Sequence, residues 1–317
     1  MKALTMSNTL PARVFMTEVG PRDGLQNEKA PLATDVKVEL CERLLAAGVS
    51  QLEVTSFVSP KWVPQMADAA DVLARLPRRA GLTLSALTPN LKGFEAALAS
   101  RVDEVVIFGA ASEAFSMRNT NCSVAESIER FRPVAQAAKA HGLRLRAVIS
   151  VAFGCPYQGD VPLESVIDLV RRTRDLGCDE IGIADTIGVA TVRHVKRVFE
   201  AAAREVPLAQ LSGHFHDTYG QAVANVYGCL EVGVHRFDSA VAGLGGCPYA
   251  KGATGNVATE DLLWLFKGLG IDTGLNLEAM VQTGQWISGQ VGRRYGSRVG
   301  AALAAREEHK AGAEVHA

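Results

Sequence analysis

The chain has 317 residues, and its 33 Lys and Arg nearly cancel its 34 Asp and Glu, leaving a formal net charge of −1. That balance excludes a nucleic acid or an anionic membrane surface as the implied partner, while 48% hydrophobic residues suffice for a large core. No apolar stretch reaches the ~18 residues of a membrane span.

The N-terminal MKALTMSNTLPARVF has no apolar signal region, and the expectation is a cytoplasmic protein. Its six cysteines form no CxxC pair, which argues against cysteine-held structural zinc and against a disulfide framework. VFMTEV (14–19) is the first predicted strand. TDVKVELCERLLAAG (34–48) follows as a helix, with Thr34 as its N-cap and Gly48 at its end. QLEVTSF (51–57), LTLSALT (82–88) and DEVVIFG (103–109) are the next strands. SVAESIERFRPVAQAAKAHG (123–142) is a helix with Lys139 and His141 in its last turn, where the helix dipole favours cations. LRLRAVISVAF (143–153), DEIGIAD (179–185), LSGHFH (211–216) and HRFDSAV (235–241) complete a set of eight strands. Cys41, Cys178 and Cys229 fall within these elements and read as small buried hydrophobes.

An apolar helix, a glycine and a strand recur together at AAGVSQLEV, AHGLRLRAV, DLGCDEIGI and EVGVHRFDS. Eight such units predict an α/β fold, a closed (β/α)8 TIM barrel. An open doubly wound sheet fits less well, because no GxGxxG follows the first strand. The barrel is expected over about 14–270 of a single domain, with extra C-terminal helices over about 271–305 and a frayed polar tail over 306–317.

Barrel chemistry gathers where strands end. Arg22 and Asp23 follow the first strand. Glu53 and Thr55, two apart, are expected on one face of the second. Asp185 and Thr186 close the sixth, and His214 and His216 share a face of the seventh. The eighth strand feeds AGLGGCPYAKGATGN (242–256), a loop with five glycines, Cys247 and Asn256. An isolated HxH is most simply a hydrogen-bonded core pair. With Asp23 at another strand exit, the same pair becomes a set of metal ligands, and Asp217 is expected to point elsewhere. Two imidazoles, a carboxylate and an amide oxygen suit Mg²⁺ or Mn²⁺; zinc would favour more nitrogen or sulfur. GCPY occurs twice, at 154–157 and 246–249, so spacing alone does not choose between Cys155 and Cys247. The glycines around Cys247 favour it, since they allow a loop to close over a ligand.

VGPRDGLQNEK (19–29), GHFHDTYGQA (213–222) and VAGLGGCPYAKGATGNVATED (241–261) together resemble the 3-hydroxy-3-methylglutaryl-CoA lyases, a metal-dependent TIM-barrel group, from about Val14 to about Gly292. The resemblance implies that Asp23, His214, His216 and Asn256 hold the divalent cation, that Arg22 meets the thioester carbonyl, and that Cys247 transfers a proton. Glu53, Asp185 and Glu260 match polar positions that support the substrate site. Asp23 and His214 are the candidates to take the substrate's hydroxyl proton. The implied reaction yields acetyl-CoA and acetoacetate in a homodimer. The same chemistry on citramalyl-CoA or an isoprenoid-branched 3-hydroxyglutaryl-CoA is the alternative, and a non-catalytic binding barrel is a third reading. Coenzyme A binding has no readable motif. Lys29, Lys61, Arg118 and Lys251 are candidate cations for its phosphates, with nothing in the sequence to choose among them, and RNTNCS (118–123) reads either as a ligand contact or as a capped loop.

Overall fold

Alternating side chains on eight short strands need two environments, an interior and a surrounding helical layer, and closing the sheet supplies both. The computed structural model describes residues 10–28, 31–246 and 254–315. Its strands are β1 (Phe15–Glu18), β2 (Gln51–Ser56), β3 (Thr83–Leu87), β4 (Glu104–Ala110), β5 (Arg144–Ser150), β6 (Glu180–Asp185), β7 (Leu211–Phe215) and β8 (Arg236–Ser239). All neighbours are parallel, and β8 pairs with β1 to close the barrel in sequence order.

The helices that cover it are α1 (Thr34–Ala46), α2 (Ala69–Arg75), α3 (Leu91–Ala99), α4 (Glu113–Thr120), α5 (Val124–Ala140), α6 (Leu163–Asp175), α7 (Val192–Ala202), α8 (Ala222–Val232) and α9 (Thr259–Leu269). Each buries one stripe. On α7 that stripe is Val195, Val198, Phe199 and Ala202, the 3.6-residue spacing of an amphipathic helix. The repeated glycine has a physical cause: Gly48 and Gly233 end their helices at φ +100° and +99°, a left-handed conformation that side chains resist. Cys41, Cys178 and Cys229 are buried as expected. No described helix is long and apolar enough to cross a membrane.

Three expectations are revised, and one, the capped loop at RNTNCS, is borne out at Ser123. Ala33, not Thr34, is the N-cap of α1, and the Thr34 hydroxyl instead donates to Asp68 Oδ2 at 2.8 Å. Residues 118–120 of RNTNCS lie inside α4, an extra helix after β4. Asn121 then takes a left-handed conformation, and Ser123 starts α5 with a reciprocal capping box to Glu126. Glu53 and Thr55 do not share a face. Glu53 pairs with Ser85 and Thr55 with Ala86, so a bulge at Val54 breaks the alternation; the Thr55 hydroxyl goes to Met66 Sδ. Finally, the expected polar tail is helical. Beyond α9 come α10 (Leu277–Val291) and α11 (Arg298–Val315), the latter running through an Ala- and Glu-rich stretch of strong helix formers.

Candidate active site

Pro21 opens a π-helical turn, Gly20–Gly24, directly after β1. This turn sets Arg22 and Asp23 side by side at the barrel mouth. Arg22 donates through Nε to Glu53 Oε1 at 2.6 Å and through Nη1 to Asp23 Oδ1 at 2.7 Å. Burial works against the guanidinium's charge, but Glu53 and Asp23 outweigh it and hold its pKa above the ordinary arginine value. Burial likewise disfavours the Asp23 carboxylate. Arg22, His214, His216 and the Asn256 amide win, and they keep it well below the usual carboxylate range.

His214 and His216 both turn into the mouth, as the strand's alternation requires. Their Nε2 atoms lie 3.9 and 3.8 Å from Asp23 Oδ2, too far for hydrogen bonds. One ligand atom from each of the three residues falls within 4.8 Å of the others. Asn256 sits beside His216 through an isolated antiparallel bridge. Its Nδ2 donates to Asp23 Oδ2 at 2.8 Å and to the Leu244 carbonyl at 3.1 Å, while its Oδ1 is buried without a partner. An orphaned buried oxygen is costly unless something binds it. Two ligand atoms each ~2.1 Å from a small dication lie at most ~4.2 Å apart, so the imidazole–carboxylate separations leave room for one between them. The four residues fit a metal ion.

Protonation agrees with that fit. Burial, together with the neighbouring His214, lowers the His216 pKa to about 4, leaving a neutral ring with a lone pair to give. His214 is pulled down by burial but raised overall by its hydrogen bond to Asp238 and by the charges of Asp238 and Asp23. Asp238 Oδ2 stands 2.9 Å from His214 Nδ1. Holding a proton on Nδ1 frees Nε2 for a metal. Asp238 is itself held by Arg146, whose Nη2 donates to both carboxylate oxygens at 2.6 Å, and Arg146 Nε lies 3.1 Å from Glu180 Oε1. Arg146 is 1% exposed.

A cavity of about 900 Å³ opens above these groups, with Arg22, Asp23, His214 and His216 on its wall. Gly246 also lines it, its carbonyl accepting from Asn27 Nδ2 at 3.2 Å. Cys247, Lys29 and Lys251 lie outside the described residues. Cys155 is buried away from the cavity, its Sγ accepting from the Ser112 hydroxyl at 3.0 Å. Asp217 points elsewhere, accepting from Ala222 N at the start of α8. Arg118 does reach the cavity wall, with its guanidinium over the Tyr157 ring.

Two expected substrate contacts are placed differently. Asp185 pairs in register with Phe215, one step from the inward His214, so its carboxylate faces the helical layer. There it accepts from Val189 N and Ala190 N, shaping the β6–α7 loop. Glu260, at the start of α9, accepts from Ala242 N and from the Tyr295 hydroxyl. It thus props the turn that leads into the glycine-rich loop, where Ala242 takes φ +59°. Burial, the main cause, raises the Glu260 pKa from 4.5 to about 8. A raised folded-state value means stability that is full below pH 4.5 and lost as pH rises through about 8. Glu260→Gln is therefore expected to flatten the fall in urea midpoint between pH 5 and 8; an unchanged slope would assign that fall to other groups.

Asp238, Arg146 and Glu180 stand inside their strands, below the exits where barrel chemistry is expected, and so fall outside the sequence-based set of site residues. The signal was present: each is a charged residue inside a predicted strand, and a charge pointing into a barrel must be paired.

The chain matches the HMGL-like family model over residues 13–287. It is 56% identical over 297 residues to the 3-hydroxy-3-isohexenylglutaryl-CoA/hydroxy-methylglutaryl-CoA lyase of Pseudomonas aeruginosa, covering 94% of this chain and 99% of that one. The crystal structure of hydroxymethylglutaryl-CoA lyase from Pseudomonas aeruginosa superposes with a TM-score of 0.92 at 56% identity, over 94% and 99% of the two chains. A lyase structure from Acinetobacter baumannii in complex with coenzyme A and 3-methylmalate does so at 0.88 and 34%, over 95% and 97%. Barrel, ion site and these likenesses converge: the chain belongs to the HMGL-like family of carbon–carbon lyases.

Proposed function

We propose that the chain cleaves 3-hydroxy-3-methylglutaryl-CoA to acetyl-CoA and acetoacetate, with Mg²⁺ or Mn²⁺ held by Asp23, His214, His216 and Asn256. The observation that carries this reading is the meeting of two imidazoles, a carboxylate and an orphaned amide oxygen beside a paired arginine. When bound, the cation supplies Lewis acidity toward the substrate's hydroxyl and a neighbouring oxygen.

The chain's own residues do the rest. The hydroxyl proton leaves to Asp23, because His214, which holds a proton on Nδ1 toward Asp238, would give its one remaining lone pair to the ion. The C2–C3 electron pair then collapses onto the thioester as an enolate, against which Arg22 sets a permanent positive charge, a preorganised contact worth ~3 kcal/mol. A thiol, with a pKa near ~8.5, delivers the proton to the α-carbon, and we assign that role to Cys247. Cys155→Ala is expected to keep most of the turnover and Cys247→Ala to lose it; the reverse pattern would move the proton donor to Cys155.

Purified protein supplied with 3-hydroxy-3-methylglutaryl-CoA and citramalyl-CoA, assayed for released acetyl-CoA, tests the whole reading. Chelation should abolish release, and Mg²⁺ or Mn²⁺ should restore it. The proposal fails should the methyl-branched thioester turn over least. The double name of the 56%-identical relative supports a second substrate, the isohexenyl-branched homologue. The family resemblance also supports a cytoplasmic homodimer, which light scattering at twice the chain mass checks.

A further inference from the structure

One buried carboxylate joins three segments that furnish the ion site, and it does so from outside the cavity. Glu18, on β1, is 1% exposed and does not line the cavity. Its Oε1 accepts from Gly20 N and from Val241 N, both at 2.9 Å. Its Oε2 accepts from the Thr259 hydroxyl at 2.6 Å, and that hydroxyl also lies 2.8 Å from Ser239 Oγ on β8. Gly20 opens the π-helical turn that carries Arg22 and Asp23. Val241 begins the turn into the glycine-rich loop, and Thr259 is the first residue of α9, three places after Asn256.

A Cβ on Gly20 would stand 2.6 Å from Glu18 Oε1, so the carboxylate comes this close only because residue 20 is a glycine. No cation pairs with Glu18 among the described residues, and burial raises its pKa from 4.5 to about 7. A buried acid with no cation is costly. An apolar side chain would avoid that cost but leave two backbone amides and a hydroxyl without acceptors. The next amide, Ala242 N, goes to Glu260 of α9 instead. Two carboxylates thus grip consecutive amides of one turn, and Glu18 is the one that reaches it from the segment bearing Asp23.

The chain between these anchors and the ligands has little freedom. The amides of Asp23 and Gly24 both close on the Val19 carbonyl. Val257 N donates to the Phe215 carbonyl, Ala240 N to the Val257 carbonyl and Thr259 N to the Ala240 carbonyl. A shift at Glu18 is therefore passed on to Asp23 and Asn256, and ligands must keep their places to within ~0.5 Å.

Resting on the ion-site reading above, we infer that Glu18 is a positioning residue for the lyase. By the reach of its carboxyl oxygens, not by its charge, it sets the spacing of Asp23 and Asn256 around the cation. Glutamine meets that requirement. Its one oxygen takes both amides, as Oε1 already does, and its NH₂ donates to the Thr259 hydroxyl, which then donates to Ser239. Aspartate keeps the charge but falls one methylene short.

Calorimetric titration with Mn²⁺ reads this spacing without turnover. Glu18→Asp should weaken Mn²⁺ affinity ~10-fold or more, the usual loss when a group behind the ligands is displaced. Glu18→Gln should bring it back to within a few-fold of the parent. Val134→Ala, which opens a cavity in the buried face of α5, should lower the thermal midpoint and leave affinity unchanged. Should Glu18→Asp not fold, as thermal unfolding would reveal, Thr259→Val carries the comparison. It removes one of the three donors and should weaken Mn²⁺ binding, with Thr259→Ser restoring it. Parent affinity in Glu18→Asp, or in Thr259→Val where it stands in, overturns the inference and leaves the ion-site reading standing. So does a glutamine variant as weak as the aspartate one, which would make charge the operative property. An equal loss in Val134→Ala does the same, by making it fold stability. A parent chain that binds no Mn²⁺ overturns the ion-site reading itself.

Discussion

Replacing Arg22 with methionine is expected to lower kcat by ~10²–10³-fold, the usual loss when one charge-stabilising contact to an enolate-like transition state is removed. The same change has a structural cost. Arg22 bonds Glu53 and Asp23 at 2.6 and 2.7 Å, and Glu53 is 1% exposed. Breaking a buried pair by removing one partner typically costs ~3–5 kcal/mol, because the other charge is left uncompensated. The two effects separate in the double variant Arg22→Met with Glu53→Gln. It should regain much of the stability, read from urea unfolding, while its turnover stays low. Recovered turnover would show that Arg22 acts only as a prop for the fold.

A second large effect is expected at a residue that does not touch the cavity. Asp238→Asn should weaken Mn²⁺ affinity by ~10–100-fold, as is common when the group behind a metal-binding histidine is lost. The carboxylate now accepts the His214 Nδ1 proton at 2.9 Å. An amide nitrogen in its place would itself donate there, moving the ring's proton to Nε2 and blocking the lone pair that faces Asp23. Calorimetric titration of the folded variant with Mn²⁺ reads this directly. Glu180→Gln, on the far side of Arg146, removes a charge of the same chain without reaching His214. It should leave Mn²⁺ affinity within a few-fold of the parent; an equal loss in both variants would reduce Asp238 to a general electrostatic role.

The barrel was readable because each of its eight strands is bounded by punctuation with a mechanical cause, such as the left-handed glycine at Gly48 or Gly233. The gathering of Arg22, Asp23, His214, His216 and Asn256 was readable for a related reason: parallel closure brings all strand exits to one mouth. What escaped was local. A bulge is a single inserted residue with no compositional mark, so nothing in QLEVTSF reveals that Glu53 and Thr55 part company. Strand parity was equally decisive for Asp185. Its place at a strand end was right, but one step from His214 it faces outward. Glu260 shows a third limit, since a carboxylate that serves Ala242 N and Tyr295 is indistinguishable in sequence from one that serves a ligand.

The segment after α9 has a bearing on how the molecule can be cut. Arg293 donates to the Gly243 and Gly245 carbonyls and to Glu28, Tyr295 reaches Glu260, and Ser297 reaches Asp261. These bonds bridge from the far end of the chain to both flanks of the mouth. A minimal barrel engineered to stop at Gly270 would keep every strand and still surrender the struts of its own rim. Shortened or permuted versions should therefore keep Arg293, Tyr295 and Ser297 joined to the barrel.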